Sequence, residues 1–77
     1  MDGKVLTELI TIAKNTQIQS KGILRLGQCM WNTFESYFYT SGTPNQIVKF
    51  QKIRGSDKDP FHNDKLIEVF IEEVSKI

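Results

Sequence analysis

Several kinds of chemistry need residues or patterns that this 77-residue chain lacks. Its one cysteine, Cys29, excludes an internal disulfide and every zinc site built on several thiolates, and it fits a reducing compartment. There is no glycine-rich phosphate loop, no HExxH and no GxSxG, so the common signatures of nucleotide, metalloprotease and serine-hydrolase chemistry are missing. No apolar run approaches the roughly 18 residues of a membrane helix. The opening MDGKVLTELITIAK carries acids and has neither an h-region nor a small-residue cleavage site, so a secretory signal is not expected and a cytoplasmic protein is. Charge of one sign is also scarce. Ten Lys and Arg against nine Asp and Glu leave +1, too little for a strong global pull toward nucleic acid or an acidic membrane. Internal repeats and low-complexity segments are absent.

What is present is the composition of an ordinary globule, 39 % hydrophobic and 25 % charged, in a single domain spanning 1–77. At this size folding buries only roughly 60 % of the unfolded chain's surface, so a second copy covering an apolar face is one way to complete the core. The charge is uneven along the chain. Residues 1–54 hold seven basic and three acidic side chains, and 55–77 hold three basic and six acidic. The acidic tail suits a solvated helix and would repel phosphates or attract a basic partner.

Hydrophobic periodicity predicts an all-α fold, a bundle of four short helices. The first covers about 3–16, with Val5, Leu6, Leu9, Ile10, Ile12 and Ala13 on one side and Asp2 as N-cap. A loop over 17–23, with Ile18 as its anchor, joins it to a three-helix unit over 24–77. The second helix runs from about Leu26 to Tyr39. Leu26, Met30, Phe34 and Tyr37, flanked by Cys29, Trp31 and Phe38, line its broad apolar face. Gly27 at the centre of that face would let a neighbouring helix come close. Thr43-Pro44-Asn45-Gln46 spells a capping box with proline at the first helical position, which favours a third helix to Gly55 over a strand through Val48 and Phe50. A loop follows, with Asp59 held extended by Pro60. The last helix spans Asp64 to about Lys76, capped by Asn63 or Asp64, on the stripe Leu66, Ile67, Phe70, Ile71, Val74 and Ile77.

Few residues suggest chemistry. Counting Asp57 as position 1 puts Glu68 at position 12 of a calcium loop, but His62 stands where a glycine must turn the chain, so no metal is expected. The aspartates read better as caps and as partners of Arg54, which would brace the loop by bidentate hydrogen bonds. Cys29 lies on an apolar stripe and reads as an inert buried thiol. No cofactor, no catalytic residues and no enzymatic activity are expected. Two binding readings remain. The first is protein binding through Tyr39, Arg54, Asp57, Asp59 and Phe61, since arginine and aromatic side chains dominate interface energetics. The second is helix-turn-helix-like DNA binding, with Asn45, Lys49 and Lys52 on the exposed face of the helix from Pro44.

At LRLGQ (Leu24 to Gln28) and RGSDKDPF (Arg54 to Phe61), followed by Asp64 and an apolar helix, the chain resembles a group of short phage and bacterial proteins. These share an LRxGQ-like helix start, a second helix, an RGxDxDPFxxD-like loop and a final helix. The resemblance covers about residues 24–74. His62 and Asn63 stand where such proteins commonly carry an aromatic residue and an acid. The resemblance implies an accessory protein of phage or prophage type that binds and modulates a host protein, such as an enzyme or a defence factor.

Overall fold

The computed structural model describes all 77 residues and is all-helical: α1 Gly3–Gln19, α2 Leu26–Ser41, α3 Pro44–Gln51 and α4 Ile67–Ser75, the last entered through a 3-10 turn, Asp64–Leu66. No helix is long and apolar enough to cross a membrane.

Each start has a local cause. The Asp2 carboxylate accepts from Lys4 N at 2.7 Å and caps α1. At α3 both halves of the capping box form: the Thr43 hydroxyl accepts from Gln46 N, and the Gln46 amide oxygen accepts from Thr43 N at 2.9 Å. Thr43 thereby settles the helix against the strand alternative. Asn63, rather than Asp64, caps the last helical segment, its side chain accepting from Lys65 N at 3.0 Å.

Two helix ends and one packing contact differ from the sequence reading. α1 continues to Gln19, because the polar residues after Ala13 weaken the apolar stripe without breaking the backbone. It is stopped by the left-handed pair Lys21 (φ 57°) and Gly22 (φ 80°). Ile18 therefore lies on the helix and is 72 % exposed, anchoring no loop. α3 ends at Gln51, four residues early. Tight turns follow, with Ile53 N bonded to Phe50 O and Arg54 N to Gln51 O, and Gly55 (φ 74°) reverses the chain. Gly27 does admit a close neighbour, but that neighbour is the loop rather than a helix: the Pro60 carbonyl lies against it.

α1 packs mainly along α2, burying Leu9 and Ala13 while Ile12 stays half exposed. Met1 N donates to Ser75 O at 2.9 Å and ties the start of α1 to the end of α4. The core is aromatic. Phe50 of α3 stacks on Trp31 with ring centroids 4.5 Å apart, and lies 5.0 Å from Phe38 and 6.3 Å from Phe70. Phe34 meets Phe70 edge-on. All five rings are almost fully buried. Burying such a ring contributes about 1.5–3 kcal/mol, and each ring pair adds about 0.5–1.5 kcal/mol, so this cluster is the main source of cohesion in so small a core.

Candidate functional site

The loop between α3 and the last helix is shaped by Asp59. One carboxylate oxygen accepts from Gly55 N at 2.7 Å and the other from Phe61 N at 2.9 Å, so a single side chain fixes both ends of the bend. Two tethers then fasten the loop to the start of α2. Arg25 Nη2 donates to Phe61 O at 2.8 Å, and Gly27 N donates to Asp64 Oδ1 at 2.9 Å. Pro60 is driven into the core between them.

Arg54 leaves this loop. Its guanidinium pairs with Glu35 on α2, and not with Asp57 or Asp59. The same Glu35 oxygen accepts from Trp31 Nε1 at 3.3 Å, and the guanidinium carbon sits 5.4 Å from the Trp31 ring centroid. Trp31 and Glu35 stand four residues apart on one face of α2, which lets one carboxylate serve both donors. Arg54 keeps 62 % of its side chain exposed, and it forms one rim of a cleft of about 320 Å³ whose lining includes Trp31, Asn32, Glu35, Asp59, Phe61 and His62. Phe61 is half-buried, with the His62 ring edge-on at 4.8 Å.

Of the residues proposed from sequence for protein binding, the fold brings Arg54, Asp59 and Phe61 together. Asp57 and Tyr39 lie elsewhere. Asp57 lines a separate cleft beside Lys58 and Glu73, and the exposed Tyr39 accepts a hydrogen bond from Gln51 Nε2 at 3.1 Å through its hydroxyl. Glu35, Asn32 and His62 join the site without having been singled out for it. The four-residue spacing of Trp31 and Glu35 on α2 was the available signal for Glu35.

Asn45, Lys49 and Lys52 are all exposed, and the two lysines line the same cleft as Asp57. The acids from Asp57 to Glu68 do not converge. Asp59 caps the bend, Asp64 holds Gly27, Asp57 faces the lysines, and nowhere do three potential metal ligands gather. Cys29 is 2 % exposed, and burial, helped by the negative charge of Asp64, pushes its thiol above the ordinary range.

Comparison of the chain with protein-family models, with curated proteins and with solved structures finds no match.

Proposed function

We propose that this chain is a non-catalytic, cytoplasmic accessory protein of phage or prophage type that works by binding a host protein through the Trp31–Arg54 cleft. The observation that carries this reading is the state of Arg54, which is exposed yet held in place by Glu35 and Trp31. An arginine ordered before contact loses less side-chain entropy on binding than a free one, and its remaining N–H donors stay available to a partner's carboxylate or carbonyl groups. Phe61 and His62 supply ring surface beside it, the pairing that dominates interface energetics. Cys29, whose buried, proton-retaining thiol is a poor nucleophile, argues against thiol catalysis in particular.

The helix-turn-helix reading has narrower support. α2 and α3 are joined by Gly42 and Thr43 alone, but α3 has only eight residues and Asn45 does not share the cleft that Lys49 and Lys52 line. Affinity capture from bacterial host cytosol tests the protein-binding reading. The native chain and the variant Ile18→Glu, at an exposed α1 position outside the cleft lining, should retain the same partner, and Arg54→Glu should lose it. Retention of that partner by Arg54→Glu at the native level would defeat the proposal.

A further inference from the structure

The lysines that are scattered along the sequence converge in the fold. Lys49 from α3, Lys52 at its C-cap, Lys58 from the loop and Lys76 after α4 line one cleft of about 310 Å³. Two of them come from the acidic half of the chain, so its charge asymmetry in sequence does not carry over to space. Glu73 accepts from Lys58 Nζ at 3.0 Å, and Lys76 lies 3.9 Å from both Glu72 and Glu73. Lys49 and Lys52 have no carboxylate within 4 Å and project free charge into the same space. Asp57 and Glu73 of the lining, with Glu72 at 3.9 Å from Lys76 just outside it, set three anions against four cations and leave a formal +1. Lysines near the ends of α3 and α4 also favour the negative helix termini, but Lys58 lies in a loop and gains nothing from either dipole.

We propose that this cleft binds a phosphate group. Lysine acts on phosphate as a point charge, and Lys49 and Lys52, unpaired with any carboxylate, supply the positive charge that a phosphate group would meet. The volume is at the small end of ligand sites, enough for one phosphate with a short attachment or for one backbone phosphate of a nucleic acid passing across the rim. The site is separate from the Arg54 cleft, so either can fail without the other.

The test is an NMR titration of the full chain at low salt, with inorganic pyrophosphate in one arm and a short DNA duplex in the other. The variants are Lys49→Gln/Lys52→Gln and, as an equal change of charge elsewhere, Lys14→Gln/Lys21→Gln. The expected result is saturable shifts at residues 49–58 with at least one probe, weakened at least tenfold by the first variant and by less than twofold by the second. A response to pyrophosphate identifies a small phosphate ligand, and a response to duplex alone identifies a nucleic-acid backbone. Absence of saturable shifts with both probes, or equal losses in the two variants, overturns the proposal.

Discussion

Gly27 and Pro60 are in contact that no larger residue permits: a Cβ on Gly27 would lie 2.0 Å from the Pro60 carbonyl oxygen and 2.9 Å from Asp64 Oδ1. Glycine in a helix ordinarily costs up to about 1 kcal/mol relative to alanine. Here the steric term wins, because the obstacle is backbone and cannot rotate away. Gly27→Ala should destabilise the protein by about 2–4 kcal/mol, combining overpacking with loss of the Gly27–Asp64 hydrogen bond. In a domain of this size that lowers Tm by at least about 10 °C, measurable by thermal denaturation.

The order of the 55–63 loop rests on Asp59 rather than on Arg54. Asp59→Ala leaves Gly55 N and Phe61 N without their acceptor and should cost about 1–3 kcal/mol. Arg54→Glu breaks a pair whose guanidinium is 62 % exposed and sets a second carboxylate near Glu35, and should cost about 1 kcal/mol. Amide hydrogen exchange separates the two: protection at Gly55 and Phe61 should fall in the first variant and persist in the second.

Phe50 joins three other rings and comes from the shortest helix. Phe50→Ala should cost about 3–5 kcal/mol, a large share of the stability of a small domain. Urea denaturation should show a sharply lower midpoint, and near-ultraviolet circular dichroism should lose much of the signal that the packed Trp31 ring gives.

Native Cys29 should resist alkylation at neutral pH and react promptly in urea. Its thiol is pushed up in the folded state, so folding favours the protonated form. The associated stability is fully present below the unfolded thiol's pKa of roughly 8.5 and is lost as pH rises through the higher folded value. Cys29→Ala should remove that alkaline component of unfolding, which a pH series of denaturation midpoints would reveal.

The helices were legible because their signals are local. The Thr43 capping box, the Asp2 cap and the apolar stripes of α2 and α4 each act within a few residues. The site was only partly legible, because its decisive contacts cross the chain. Arg54 has aspartates three and five residues away in sequence, which suggested them as partners. Asp59, however, is already engaged by two backbone amides, leaving the guanidinium to reach Glu35 on another helix. Similarly, helical spacing placed Gly27 on a packing face but could not say that a loop, rather than a helix, would fill the space. The gathering of Lys58 and Lys76 with Lys49 and Lys52 had no signature in spacing at all.

The central claim, that the Arg54 face docks a protein, is tested most directly by site-specific photocrosslinking. A photoreactive phenylalanine analogue replaces Phe61 at the cleft in one version and Ile18, an exposed α1 residue outside the cleft lining, in another, each exposed to host cytosol. One discrete crosslinked partner is expected from position 61, abolished by Arg54→Glu, and none from position 18. The same partner captured from position 18, or an adduct at position 61 that survives Arg54→Glu, would contradict it.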